Sequence, residues 1–157
     1  MGFFKKNKMV ICSPMEGELV PLVNVNDPVF AGEMLGKGVA IIPSVGRAVS
    51  PINGKILTVF ETKHAIGLVD DNGIEVLIHI GINTVELKGE FFKTHVKDGD
   101  LVKVGDLLVE FDIQAIKTAG YDIITPVVIT NTNDFSEISE LKSGLVKPKD
   151  EILKIKK

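Results

Sequence analysis

The chain has 157 residues and a formal net charge of −3, enough length for one domain with a substantial core and too little positive charge for nucleic-acid binding. Its 45% hydrophobic and 25% charged residues are ordinary for a soluble globular protein. Apolar runs such as residues 39–42 are too short to cross a bilayer. The single cysteine, Cys12, excludes an internal disulfide and is expected to be a buried or half-buried structural residue. We expect a cytoplasmic protein without stable membrane insertion.

The N-terminus contains lysines and a short apolar stretch. Residues 1–10 are expected to form a short flexible segment, and residues 11–157 a single domain. Residues 1–8 carry charge, but no apolar stretch long enough for a signal peptide follows them.

Short runs rich in Val, Ile, Leu and Thr alternate with Gly and Pro along the chain. Runs of this length, separated by turn residues, predict an all-β antiparallel sandwich or barrel. The clearest runs are residues 39–42, 55–60, 65–69, 74–80, 107–111 and 126–131. Two short helices are predicted, over residues 112–119 and 134–141, the second with Asp134 as its N-cap.

The chain also repeats itself. Residues 13–20 match residues 50–57, 37 positions later, and each copy has the pattern Ser-Pro-x-x-Gly before a strand-like run. A looser pair relates residues 25–35 to residues 96–108. These repeats predict a barrel made of interleaved, similar β segments.

Three histidines occur, His64, His79 and His95. The first two flank a pair of apolar runs joined by Asp70-Asp71-Asn72-Gly73, a strong signal for a β-hairpin. His95 precedes a turn-forming sequence and is expected on an exposed loop.

The register of this hairpin decides how the two histidines meet. With a four-residue loop, Val69 pairs with Ile74 and His64 is directly opposite His79, with Cβ atoms roughly 4.5–5.5 Å apart. With a two-residue turn, His64 is opposite Gly81 but remains on the face of His79. Either register predicts neighbouring imidazoles.

Two neighbouring imidazoles with no carboxylate beside them suit phosphoryl transfer. A neutral imidazole is a competent nucleophile near neutral pH, because its usual pKa is about 6.5. A second imidazole can donate a hydrogen bond to phosphoryl oxygens and offset charge in a loose transition state. Thr62 shares the face of His64 and its hydroxyl could orient a ring.

Spacing alone leaves three interpretations open: a phosphoryl carrier, a metal site, and two histidines without a chemical role. Two histidines supply only half of a zinc site, and no other His or Cys has suitable spacing. We therefore expect no stable structural zinc and no required cofactor.

The residues around the histidines resemble a known family, the glucose-type IIA component of the bacterial sugar phosphotransferase system. The resemblance is strongest in Thr62-Lys63-His64-Ala65 and in residues 73–89, and covers nearly all of the chain from about Ile11 onward. It extends to residues 27–31, 36–41, 102–106 and 125–131. It implies a duplicated hybrid β-sandwich with one or two short helices.

The resemblance also implies the roles of three residues. His79 matches the histidine that is phosphorylated, through Nε2. His64 matches the histidine that passes the phosphoryl group onward, and Thr62 matches a threonine in its hydrogen-bond network. The implied donor is the histidine phosphocarrier HPr, and the implied acceptor is a cysteine in the IIB domain of a glucose-type sugar permease. We expect the carrier to act as a monomer.

A partner-binding surface is implied as well. Asn83 stands where the family usually has Asp, which would weaken a contact to a basic partner. In some relatives zinc bridges the two histidines at a partner interface, so zinc on His64 and His79 is expected only as a transient ligand. The apolar rim where both partners dock matches Val29, Phe30, Phe60 and Leu77.

Two other classes remain as alternatives. A zinc peptidase of similar architecture would need further ligands, such as a His-x-His pair, but Ile80-Gly81 follows His79. A biotinyl or lipoyl carrier would present a lysine at a hairpin tip, and residues 96–102 lack that motif.

Overall fold

The computed structural model describes residues 9–157, which form antiparallel β-sheets with two short α-helices. The helices are α1 (Pro28–Ala31) and α2 (Ile113–Thr118). The strands are β1 (Val10–Cys12), β2 (Gly17–Pro21), β3 (Lys37–Pro43), β4 (Arg47–Val49), β5 (Gly54–Val59), β6 (Ala65–Asp70), β7 (Glu75–His79), β8 (Phe92–Thr94), β9 (Leu101–Val102), β10 (Leu107–Phe111), β11 (Thr125–Ile129), β12 (Glu137–Glu140), β13 (Gly144–Val146) and β14 (Glu151–Lys156).

The strands of residues 9–157 form three sheets. The largest has eight strands in the order β13-β2-β3-β11-β7-β6-β5-β9, and the smaller two have the orders β1-β14-β12 and β4-β10-β8. In this part of the chain the sheets do not close into a barrel. The predicted antiparallel β-sandwich is therefore confirmed.

The large sheet buries apolar side chains on both of its faces. Alternating residues of its central strands, such as Ile78 and Val127, belong to the main core, which includes residues of all three sheets. The intervening residues Ala40 and Val128 belong to a smaller cluster on the opposite face. Its other buried members are Leu22, Val25, Phe30, Ile82 and Ile124. The smaller cluster lies under the candidate site described below.

The repeated sequences adopt the same local structure. Ser13 and Ser50 are fully buried, and each hydroxyl donates to the carbonyl two residues later at 2.7 Å. The glycine of each copy, Gly17 and Gly54, starts an equivalent strand, β2 and β5. A Cβ at either glycine would lie 2.1 or 2.0 Å from a neighbouring carbonyl oxygen, so the close strand pairing requires glycine.

One predicted helix is confirmed and the other is wrong. The carboxylate of Asp112 accepts a hydrogen bond from the Ala115 amide and caps α2, inside the predicted segment 112–119. Segment 134–141 instead contains strand β12, which pairs with β14. Its apolar residue Ile138 packs against the main core as an edge-strand residue, so tertiary pairing outweighs the local helical signal.

The N-terminal boundary also differs from the expected one. Residues 1–8 of the predicted flexible segment lie outside the described residues. Val10 already belongs to β1 and pairs with Lys154 of β14, so the packed structure begins before residue 11. Cys12 is buried, as predicted, and burial raises the pKa of its thiol, which keeps it protonated.

Candidate functional site

The two predicted hairpin registers are both wrong by one residue. β6 and β7 pair so that Val69 is opposite Glu75 and Ala65 is opposite His79. The backbone carbonyl of His64 accepts a hydrogen bond from the Ile80 amide at 2.7 Å, which continues the same register.

The loop of this hairpin has three residues, Asp71-Asn72-Gly73, rather than four or two. The carboxylate of Asp70 accepts hydrogen bonds from the amides of Asn72 and Ile74, both at 2.8 Å. Gly73 has φ +83°, which glycine adopts without strain. The side chain of Asp70 therefore sets the loop length, a choice that turn composition alone leaves open.

The imidazoles of His64 and His79 are nevertheless neighbours. In this register a regular strand would point them to opposite faces of the sheet. His64, however, precedes the first residue of β6 and follows Lys63, whose φ is +64°. The two rings lie nearly perpendicular, at 85°, with centroids 4.7 Å apart. The prediction of neighbouring imidazoles is thus confirmed, although the pairing expected to produce it is not.

Two phenylalanines enclose the pair of rings. Phe30 of α1 contacts His79 with ring centroids 4.9 Å apart, and Phe60 meets His64 edge-on at 5.7 Å. Phe30 is only 5% exposed, whereas Phe60 is 40% exposed. Phe30 therefore supports the ring of His79 from within the fold, whereas part of the Phe60 ring remains at the surface.

The tautomer of His79 follows from its hydrogen bond to the backbone. Nδ1 of His79 lies 2.7 Å from the carbonyl oxygen of Gly81. A carbonyl can only accept, so Nδ1 carries the proton and donates it. In the neutral ring, Nε2 then has a free lone pair and is the nucleophilic nitrogen.

Thr62 is hydrogen-bonded to the second histidine. Its Oγ1 lies 2.8 Å from Nδ1 of His64, the contact that the resemblance implies. His64 is 3% exposed, so this hydroxyl fixes a ring that is almost wholly buried. His79 is more accessible than His64.

Both imidazoles are held in the neutral form. Burial, together with the neighbouring His79, lowers the pKa of His64 to about 4. Burial also lowers the pKa of His79, against the opposing effects of the Gly81 carbonyl and of Asp27. At neutral pH the site therefore presents an uncharged nucleophile.

The remaining predicted rim residues lie at the surface to different degrees. Val29 is 38% exposed, Leu77 is half-buried against the smaller cluster, and Asn83 is exposed. Asn83 has φ +62°, a left-handed conformation that asparagine tolerates well.

The site does not by itself complete a metal centre. Residues 9–157 contain no group of three or more His, Cys, Asp and Glu side chains placed to hold an ion. The imidazoles of His64 and His79 supply two nitrogens, whereas zinc usually takes four ligands, so zinc at a partner interface stays a prediction. His95 lies outside the site, exposed, with its Nε2 2.6 Å from a carboxylate oxygen of Glu110.

The sequence interpretation missed the groups that orient His79. The hydrogen-bonding carbonyl of Gly81 follows the histidine by two residues, at a glycine with φ +78°. The sequence signal was Gly81 itself, directly after the predicted strand run 74–80.

A neutral histidine with a free Nε2, placed beside a second histidine on a β-sandwich, can act as the nucleophile of a phosphoryl carrier. Residues 9–135 match the family described as phosphoenolpyruvate-dependent sugar phosphotransferase system, EIIA 1. The chain belongs to this family and is a phosphoryl carrier of that system.

Individual relatives agree with this assignment. The chain is 48% identical over 135 residues to the glucose-specific EIIA component of Oceanobacillus iheyensis, covering 86% of this chain and 82% of the relative. It is 49% identical over 147 residues to the β-glucoside-specific EIIBCA component of Bacillus subtilis. That match covers 94% of this chain but only 24% of the much longer relative.

A solved structure has the same fold. The glucose permease IIA from Mycoplasma capricolum superposes with a TM-score of 0.88 and is 36% identical, and the match covers 98% of each chain. No helix in residues 9–157 is long and apolar enough to span a membrane.

Proposed function

We propose that Nε2 of His79 accepts the phosphoryl group and that His64 and Thr62 assist its onward transfer. The hydrogen bond from Nδ1 of His79 to the Gly81 carbonyl carries this proposal, because it leaves Nε2 as the unprotonated nitrogen. The accessibility of His79 relative to His64 supports the same division of roles.

The transfer needs no proton movement at His79. Its Nε2 lone pair attacks phosphorus in line, and the new N–P bond forms as the donor's bond to phosphorus breaks. The bonding pair returns to the donor. His79 keeps the proton on Nδ1, so the phosphorylated ring carries positive charge that the Gly81 carbonyl stabilises.

His64 acts on the phosphoryl group rather than on the nucleophile. In this proposal the hydroxyl of Thr62, 2.8 Å from Nδ1 of His64, donates to that nitrogen, so that His64 carries its proton on Nε2 and donates it to a phosphoryl oxygen. A phosphoryl dianion beside His64 raises the pKa of that imidazole, because opposite charge favours the protonated form. The resulting stabilisation helps the group leave His79 when a thiolate attacks.

The proposed donor is HPr and the proposed acceptor is a cysteine of a IIB domain that serves a glucose-type sugar permease. The relatives named as glucose-specific and β-glucoside-specific components support this sugar class. The exposed side chain of Phe60 contacts His64, and Val29, which precedes Phe30 in α1, is also exposed, so both suit a transient docking surface that excludes water. A cytoplasmic location stays a prediction.

The test is phosphorylation from labelled phosphoenolpyruvate with enzyme I and HPr. His79→Ala should take up no label, because its nucleophile is gone, whereas His95→Ala should label like the unchanged protein. His95 is the matched control, since it pairs with Glu110 outside the site. Stoichiometric, stable label on His79→Ala would overturn the assignment.

A further inference from the structure

Hydrogen bonds fix three successive peptide units after His79. The Ile80 amide donates to the His64 carbonyl at 2.7 Å, and the Ile82 amide donates to the Asp122 carbonyl at 2.9 Å. Between them, the carbonyl of Ile80 accepts from Oγ1 of Thr84 at 2.5 Å. The backbone on either side of Gly81 is therefore held at several points.

One of these peptide units aims the acceptor of His79. The Gly81 carbonyl and the Ile82 amide belong to the same planar trans peptide, so they point in opposite directions. The Ile82 bond to Asp122 on one side thus directs the Gly81 oxygen toward Nδ1 of His79 on the other. The preceding peptide unit, which contains the Ile80 carbonyl, is held by Thr84.

Thr84 fits beneath this turn closely. Its side chain is fully buried, and its methyl group lies 2.6 Å from where a Cβ on Gly81 would be. Only glycine fits there, so the methyl of Thr84 and the backbone of Gly81 confine each other.

Within residues 9–157, the hydroxyl of Thr84 makes one hydrogen bond, to the carbonyl of Ile80. Thr84 begins a short 3-10 helix, Thr84–Leu87, but its hydroxyl donates backward to Ile80. The N-cap of that helix is Asn83, which makes no side-chain capping bond. The hydroxyl therefore serves the turn after His79 and not the helix that it starts.

We infer that Thr84 is a positioning residue that keeps His79 in the Nδ1–H tautomer by holding the 80–82 turn. This inference rests on the proposal that His79 is the phosphorylated residue. Without the hydroxyl, the buried Ile80 carbonyl loses its partner and the turn shifts to recover one. The Gly81 oxygen then leaves the line of Nδ1, and the ring populates the Nε2–H tautomer, which cannot attack phosphorus.

The test compares Thr84→Val, which loses the hydroxyl but keeps the shape, with Thr84→Ser, which keeps the hydroxyl. Nitrogen-15 NMR of His79 reports the tautomer directly. The unchanged protein and Thr84→Ser should show Nδ1–H. Thr84→Val should show a mixture with Nε2–H and accept phosphate about tenfold more slowly, the ratio expected for one lost hydrogen bond. A folded Thr84→Val with unchanged tautomer and rate would overturn the inference.

A measurement on the unchanged protein does not depend on the variant folding. A buried hydroxyl bonded to Ile80 should exchange slowly enough to give an NMR signal near the Gly81 protons, and absence of that signal would contradict the inference. The test of Thr84 and the test of which residue is phosphorylated can fail independently of each other. If another residue carried the phosphoryl group, His79→Ala would still label, whereas the tautomer in the Thr84 variants would respond as before.

Discussion

The two repeated β units share a strand pattern and differ in the segments that connect their strands. In the first unit, residues 22–36 form a long connection between β2 and β3, which contains α1. In the second, residues 60–64 form a short connection between β5 and β6. Both connections reach His79: the long one supplies Phe30 and the short one supplies His64.

The paired strands of the two units form the scaffold, and the connections between them form the site. The buried serines and the strand-starting glycines are alike in the two units, because both must pair strands closely. The connections are not constrained by strand pairing. The long connection therefore supplies the apolar side chain of Phe30, and the short one supplies the imidazole of His64. Loops held by a rigid sheet are where chemistry is most readily varied.

The largest effect is expected from changing the short connection. His64→Gln should still accept phosphate on His79, but pass it to the IIB cysteine about 10² to 10³-fold more slowly, since glutamine cannot gain a proton. Rapid-quench measurement of the two half-reactions separates the steps. His95→Gln is the control, and normal onward transfer by His64→Gln would refute the role of His64.

The second largest effect is expected from changing the long connection, and it is on the free energy of unfolding. Phe30 is almost wholly buried in the smaller cluster and against His79, so Phe30→Ala should lower the free energy of unfolding by about 3 kcal/mol. Phe60→Ala, at an exposed position beside His64, should lose about 1 kcal/mol or less. Urea unfolding measures both, and equal losses would contradict the different roles given to the two phenylalanines.

A smaller effect is expected from pH. The pKa of His64 is about 4 in the folded protein and about 6.5 in an unfolded chain. Because the folded pKa is the lower one, the unfolded chain binds the proton first as pH falls. The stability that neutral His64 contributes is therefore present above pH 6.5 and lost progressively down to about pH 4.

Unfolding curves of the unchanged protein and His64→Gln between pH 7 and pH 4.5 isolate this contribution, since other groups titrate alike in both. The variant should lose less stability as pH falls. Identical pH dependence would mean that His64 is not held neutral by its surroundings.

Much of this architecture could be predicted from the sequence, and the failures have local causes. Strand runs, the repeated units and the proximity of His64 and His79 follow from hydrophobic pattern and turn composition. The register of the β6–β7 hairpin does not follow from these patterns. It depends on the side chain of Asp70, which accepts hydrogen bonds from two backbone amides of the turn. The helix expected over residues 134–141 does not form, because this segment contains β12, which pairs with β14.

The candidate site, too, could be predicted only in part from the sequence. Resemblance to a family named His79, His64 and Thr62, but could not show that Phe30 is buried behind His79 rather than exposed on the rim. The groups that set the tautomer of His79 are a backbone carbonyl and a threonine hydroxyl. Backbone acceptors have no residue-type signal, so only the folded turn reveals them.

The central claim is that the Gly81 carbonyl holds the proton on Nδ1 of His79 and leaves Nε2 to bond phosphorus. Phosphorus–nitrogen coupling in protein labelled with nitrogen-15 on histidine and phosphorylated through the cognate system tests it most directly. The predicted result is phosphorus coupled to Nε2 of His79, with the proton retained on Nδ1. Phosphorus bonded to Nδ1 of His79, or to either nitrogen of His64, would contradict the account.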